Sequence, residues 1–351
     1  IGDEEEVVDG SCLKCLESAG ESNTLSLSLD CNELDDASMR NLGPAIAAAR
    51  DSCFSRGDRH LPSLDLSLQE NVVTEHTCHL LSKCSVARYP FAQCILTRLC
   101  LSWNPIGDAG MEALSPILHH LKHLEVEGCC LADPSVDVLL RASPSRWALE
   151  RLLLGYNDSI QEASLARLLT IGCGIKELKE LGLAGNQIRE IGGACAATLV
   201  CHHTSLQSLC LSRTPLGTGG VRAFCDSMLA RELESAMSDL TNLRYHSRPL
   251  SLDFSWCSIE EDAVCHLVKT LICGRADVRC QGGRTWKLAA LNLQACVNAK
   301  PGLRSGNTGE LMVTTLEQIA QTSTELPPID LRHNLLSASQ QARTQLLGMA
   351  S

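Results

Sequence analysis

Aromatic residues make up only 3% of this 351-residue sequence, with four tryptophans, three tyrosines and four phenylalanines. So few rings argue against a broad globular core and for a narrow aliphatic one. No apolar run approaches 18 residues and no secretory signal peptide is recognisable, so no membrane insertion is expected. Lys and Arg number 30 against 41 acids, a net charge of −11. No basic stripe appears, which argues against nucleic-acid binding. Catalytic signatures are missing as well: there is no phosphate-binding glycine loop, no Gly-x-Ser-x-Gly and no His-Glu-x-x-His. No enzymatic activity and no cofactor are therefore expected. Cysteine is not scarce, at twenty residues, but the cysteines are dispersed and form no compact terminal cluster. They read as reduced, buried, small apolar residues of a reducing compartment, the cytoplasm first, with the nucleus or a cilium as alternatives. The sequence begins with Ile1 and not methionine, so its natural start is expected to lie upstream.

What the sequence has in abundance is leucine in a fixed frame. L-x-x-L-x-L-x-x-N-x-L recurs about ten times, most cleanly at Leu96, Leu99, Leu101, Asn104, Ile106 and at Leu178, Leu181, Leu183, Asn186, Ile188. The two leucines of L-x-L point into a core and the residues between them to the opposite face of a short strand. The polar residue three positions on ends the strand, and its side chain must satisfy buried backbone groups of the turn. Ten residues are assigned there: Asn32, Gln69, Asn104, Cys129, Asn157, Asn186, Thr214, Cys257, Cys296 and Asn334. The second repeat fits least well, because Asn71 stands where an apolar anchor belongs, with Val73 as its substitute after a slip of register. This is the leucine-rich repeat signature.

Four residues after the last anchor a small residue recurs (Ser38, Gly110, Ser135, Ser164, Gly192, Gly220, Ala263), and four further on an apolar one (Leu42, Leu114, Leu139, Leu168, Ala196, Phe224, Leu267). That spacing places both on one face of a helix. The spacing between Cys129, Asn157, Asn186 and Thr214 is 28 or 29 residues; the longer outer intervals must carry longer helices or loops. The stretches Asn104–Leu114 and Thr214–Phe224 resemble the ribonuclease-inhibitor type of leucine-rich repeat, and cysteine at some asparagine positions fits that type. The resemblance covers roughly residues 24–347. It implies an α/β fold, a right-handed solenoid horseshoe of about ten repeats, with parallel strands on the concave face and helices on the convex face. Its superfamily, which includes ribonuclease inhibitor, Ran GTPase-activating proteins, immune-receptor sensor domains and ciliary scaffold subunits, shares a protein-binding surface.

Two segments are delimited, an acidic N-terminal segment and cap over 1–23 and the solenoid over 24–351. Residues 1–40 hold eleven acids and two bases, so the rest of the chain is nearly neutral; the acids of residues 3–9 form a solvated terminus or an acidic docking patch. Trp103, Tyr156 and Trp256 share one repeat position, immediately before the polar turn residue, and Arg213 occupies it in another repeat. The full row is Cys31, Leu68, Trp103, Gly128, Tyr156, Gly185, Arg213, Trp256, Ala295 and His333. Aromatics and arginine on an open surface make binding hot spots, so Trp103, Tyr156, Arg213 and Trp256 are assigned to a protein partner; the alternative is that the rings cover the edge of the sheet. Trp147 and Trp286 are expected in the core. The concave face is mixed in charge, with Asp30, Asp65, Glu125, Glu127, Glu180, Asp253 and Asp330 against Arg98, Arg151, Arg213 and Arg332, and a strongly cationic ligand would want a more acidic one. Cys12-x-x-Cys15 reads as part of an N-terminal cap helix, and Cys201-His202-His203 as exposed residues at a helix-to-strand return, so no metal site is assigned. The irregular basic loops 273–287 and 298–309 are free to carry recognition or are tolerated insertions. The expected function is an intracellular scaffold or adaptor that binds a protein partner, alone or as a subunit of a large assembly. The alternative is regulation of a GTPase, as the likeness to the Ran GTPase-activating type implies.

Overall fold

The computed structural model describes residues 24–47, 63–85, 96–142, 147–172, 174–237, 249–273, 288–297, 309–322, 326–334 and 336–349. The acidic segment 1–23 with its Cys12–Cys15 pair, Trp286, and all but the end residues of the two basic loops lie outside them. The chain divides into two compact units, up to Ser159 and from Ile160. In the first, strands β1 (Thr24–Ser28), β2 (Ser63–Ser67), β3 (Leu96–Cys100), β4 (His123–Glu125) and β5 (Arg151–Leu153) pair in parallel and in chain order. Helices α1 (Glu75–Ser85), α2 (Gly107–Leu114) and α3 (Asp133–Arg141) alternate with them. The second unit opens with α4 (Glu162–Gly172). It then alternates β6 (Glu180–Gly182), α5 (Glu190–His202), β7 (Ser208–Cys210), α6 (Gly217–Met237), β8 (Leu250–Asp253), α7 (Glu261–Cys273), β9 (Leu288–Asn292), α8 (Glu310–Thr322), β10 (Ile329–Asp330) and α9 (Ala338–Leu346). Its strands are parallel too. Each unit is thus an α/β array of leucine-rich repeats. No described helix is long and apolar enough to cross a membrane.

The repeat leucines form the core. Leu96, Leu99 and Leu101 are fully buried, as are Leu181, Leu183 and Ile188, while Arg98 between them is exposed on the open face. Burying one such side chain contributes about 1.5–3 kcal/mol. Beyond the strands the turn residues take over. Asn104 is 1% exposed; its Nδ2 donates to Leu68 O (2.7 Å) and Leu101 O (3.0 Å), and its Oδ1 accepts from Val73 N. Asn157 repeats this one strand pair on, donating to Val126 O and Leu154 O and accepting from Cys129 N and Leu131 N. Cysteine in this place supplies only the donor: Cys129 and Cys257 donate to Leu101 O and Leu211 O respectively, both at 3.1 Å. A thiol accepts poorly, so the backbone carbonyls of Cys129 and Cys257 accept instead, from Gly107 N and Gly217 N.

The second repeat departs from the assignment by two residues. Asn71, and not Gln69, is the buried turn residue, donating to Leu29 O and Leu68 O and accepting from Asn32 N and Leu34 N. Gln69 lies on the open face, Val73 is the anchor, and Leu68 is a fully buried strand leucine and no member of the exposed row. The β2–β3 register absorbs the slip with an irregularity between Leu64 and Asp65.

Small residues at the first turn of three helices make room for the anchor of their own repeat: a Cβ on Gly110, Gly192 or Gly220 would overlap Ile106, Ile188 or Leu216. A second device had no sequence reading. After four of the turns an acid caps the helix of the following repeat. Asp36 accepts from Thr74 N and Thr77 N, Asp108 from Ala132 N and Ser135 N, Glu162 from Arg189 N and Gly192 N, and Glu261 from Met312 N. Each satisfies donors that a helix start leaves open. Burial alone would raise the Asp36 carboxyl, but the hydroxyls and backbone N–H groups of Thr74 and Thr77 outweigh it and hold the group below its ordinary value. A lowered folded-state pKa stabilises above the unfolded value near ~3.9, and the contribution is lost as pH falls through the folded value. Asp36→Ala is therefore expected to cost about 1–2 kcal/mol at pH 7, with the gap to the parent closing below about pH 4; urea titrations at several pH values measure it.

Thirteen cysteines among the described residues are free thiols. Burial raises Cys129 and Cys225 to about 12 and Cys257 to about 11, and pushes Cys78 and Cys296 up as well. At neutral pH all five are protonated and unreactive. Trp147 is 3% exposed, in the core as expected.

Candidate protein-binding surface

The row just before each turn residue has a backbone property that the sequence alone does not reveal. In all ten repeats, from Cys31 and Glu70 to Ala295 and His333, its φ lies between 50° and 70°. The cause is local. The N–H of each row residue still extends the parallel ladder, as in Trp103 N to Glu127 O (2.7 Å), Arg213 N to Ser255 O (2.8 Å) and Trp256 N to Gln294 O (2.9 Å). The next residue must already be in the buried turn, and a left-handed residue makes that reversal. Gly128 and Gly185 adopt it without strain. In other residues it costs roughly 1–2 kcal/mol each, and Trp103, Tyr156, Arg213 and Trp256 all carry that strain.

In the first unit Trp103 and Tyr156 are 45% and 40% exposed, and their ring centroids lie 5.3 Å apart with planes inclined at 39°. They stand two strands apart, roughly 10 Å at ordinary strand spacing, and lean together over Gly128. A Cβ at Gly128 would overlap the Trp103 ring. The second unit repeats the arrangement. Trp256, 46% exposed, lies 6.5 Å from the ring of His333 across Ala295, and the Arg213 guanidinium carbon sits 5.2 Å from the Trp256 centroid. The four assigned residues thus form two surface clusters, one per unit, and His333 joins the second.

On the open face below the first cluster, Arg98, His123 and Arg151 are direct cross-strand partners on β3, β4 and β5. Arg98 Nε lies 3.4 Å from Asp65 and Arg151 Nε 3.2 Å from Glu125. A cavity of about 220 Å³ opens among these residues, Gln69 and Cys100. Burial, then the neighbouring Arg98 and Arg151 charges, lower the His123 pKa against the smaller opposing pull of Glu150 and Asp65.

In the Cys201–His203 stretch His202 is exposed as expected and Cys201 is half-buried, but His203 departs from the expectation. His203 is 2% exposed and structural: Nε2 pairs with Ile175 O at 2.6 Å and Nδ1 accepts from Leu206 N, which assigns the proton to Nε2. No group of three potential metal ligands occurs among the described residues.

A family model described as Leucine Rich repeat matches residues 93–115 and 118–140. Ribonuclease inhibitor of Sus scrofa is 27% identical over 255 residues, covering 59% of this chain and 54% of that protein. NACHT, LRR and PYD domains-containing protein 3 of Bos taurus is 27% identical over 186 residues, covering 45% of this chain and 18% of its own length. NACHT, LRR and PYD domains-containing protein 14 of Homo sapiens is 28% identical over 174 residues, covering 46% and 15%. The chain thus spans about half of the first relative and a smaller part of the other two. Repeat register, turn asparagines and cysteines, strand–helix alternation and these likenesses agree: the chain is built of leucine-rich repeats similar to those of ribonuclease inhibitor.

Proposed function

We propose that this chain is an intracellular protein-binding scaffold or adaptor that engages its partner through the open sheet face and the two aromatic clusters. One observation carries the reading: large rings stand half-exposed at a backbone position that penalises every residue but glycine. In the first unit two left-handed side chains cost about 2–4 kcal/mol, against about 0.5–1.5 kcal/mol for one ring pair. The pair value is what stacking adds beyond the area the rings bury, and with 45% of Trp103 and 40% of Tyr156 still exposed a partner has ring surface left to cover. The left-handed turn is common to all ten repeats, but large rings and arginine at it are not, and these residue types are those of interface hot spots. Buried, protonated thiols suit a reducing compartment. The mixed charge of the face gives no support to inhibition of a cationic ribonuclease.

Trp103→Ala and Trp256→Ala are each expected to weaken partner capture by about 30- to 1000-fold, the equivalent of ~2–4 kcal/mol, with melting temperatures close to the parent's. Quantitative pull-down of parent and variants from one native lysate measures the first, and thermal denaturation the second. Unchanged capture with a lowered melting temperature would make the rings structural. A turnover assay against small GTPases, run on the same preparations, separates this reading from GTPase regulation.

A further inference from the structure

The first unit joins two features on the same three strands. Arg98, His123 and Arg151 stand side by side on β3, β4 and β5. Five residues further on in each repeat, past the strand ends, stand Trp103, Gly128 and Tyr156. At ~3.3 Å per extended residue the rows are separated by at most about 16 Å. The corresponding strand positions of the second unit hold Glu180, Ser208 and Ser251, so the basic row is particular to the first unit and no requirement of the repeat.

Arg98 and Arg151, on either side of His123, carry the charge of the row, since the lowered pKa of His123 favours its neutral form. Asp65 and Glu125 hold Arg98 and Arg151 in place, yet the two arginine charges still act to depress His123, which they flank. The side chains of Arg98 and Arg151 remain 55% and 37% exposed around the cavity of about 220 Å³. We infer that β3–β5 bind an extended acidic peptide of a partner protein, carboxylates over the Arg98–His123–Arg151 row and an apolar side chain on the Trp103–Tyr156 pair. An extended chain covers the interval with about five residues. Two guanidinium groups offer forked donors that match carboxylates, and charge complementarity sets orientation and selects against basic partners. This inference rests on the protein-binding reading above and names the chemistry of the partner.

The test pans a phage-displayed library of random 12-residue peptides against the whole chain. Selected peptides are expected to carry at least two acids about five residues from an apolar or aromatic residue. A synthetic copy of the tightest should lose roughly tenfold or more in affinity when Arg98→Gln and Arg151→Gln are combined, as expected for lost charge-assisted pairs, and should keep part of it with Arg98→Lys and Arg151→Lys. Arg98 is exposed and Arg151 half-buried on their strands, and thermal denaturation verifies that each variant is folded. Peptides without an acidic excess, acidic peptides indifferent to the glutamine variants, or no enrichment at all would each overturn the inference. Non-acidic peptides that are lost on Trp103→Ala would overturn it while leaving the protein-binding reading intact.

Discussion

An Asn157→Ala chain is expected to be about 3–5 kcal/mol less stable than its parent, as the loss of one side chain orphans Cys129 N and Leu131 N in a buried turn at about 1–3 kcal/mol each. The carbonyls of Val126 and Leu154 also lose their donor. Denaturant titration with a fixed m-value measures the effect. Asn157→Cys sharpens the claim. A thiol can donate as Cys129 does to Leu101 O, but it leaves the two N–H groups without a good acceptor. It should recover less than half of the loss. Full recovery would mean that the acceptor role of the asparagine carries no weight.

Trp147→Ala should cost a similar amount, about 3–5 kcal/mol, because an almost fully buried ring leaves a cavity that its surroundings fill only in part. Trp147→Phe provides the contrast. The Trp147 indole Nε1 is buried with no hydrogen-bond partner, so the indole carries an unsatisfied donor that a phenyl ring lacks. Lost contact area and removed desolvation cost then oppose each other, and the net change should stay below about 1.5 kcal/mol. A phenylalanine variant as unstable as the alanine one would show that the size of the indole alone matters.

The framework was legible because its period is rigid. Asn104, Asn157, Asn186 and Asn334 occur at a fixed distance from two leucines, and no other register fits them. The second repeat misled for a reason visible in its letters: Leu64, Leu66 and Leu68 alternate without interruption, and both Gln69 and Asn71 can hydrogen-bond. Only the buried bonds of Asn71 decide between the frames. The capping acids stayed hidden because Asp108 and Glu162 look like ordinary acids in a helix's first turn, while their contacts reach helices 24 to 30 residues on. His203 was misplaced because a histidine at a helix end carries no mark of burial. Of the binding surface, the shared position of Trp103, Tyr156 and Trp256 could be read directly. Its left-handed backbone could not, since only Gly128 and Gly185 hinted at it. The Arg98–His123–Arg151 row was visible as two arginines, and the histidine joins them only through cross-strand register.

The exchange of asparagine for cysteine in the turns gives the chain its own reporters. In a repeat protein, stability is close to a sum of units and nearest-neighbour junctions, so an opening begins at the junction with the fewest clasps. Cys257 and Cys296 occupy successive turns of the second unit, and the thiol of each donates across the junction to the repeat before, to Leu211 O and Phe254 O, beside the backbone bonds that cross it. Their thiols are buried and protonated in the closed form and become alkylatable only when the junction parts. The rate at which each is labelled is then a clock for local opening at a known seam, built in without any added probe.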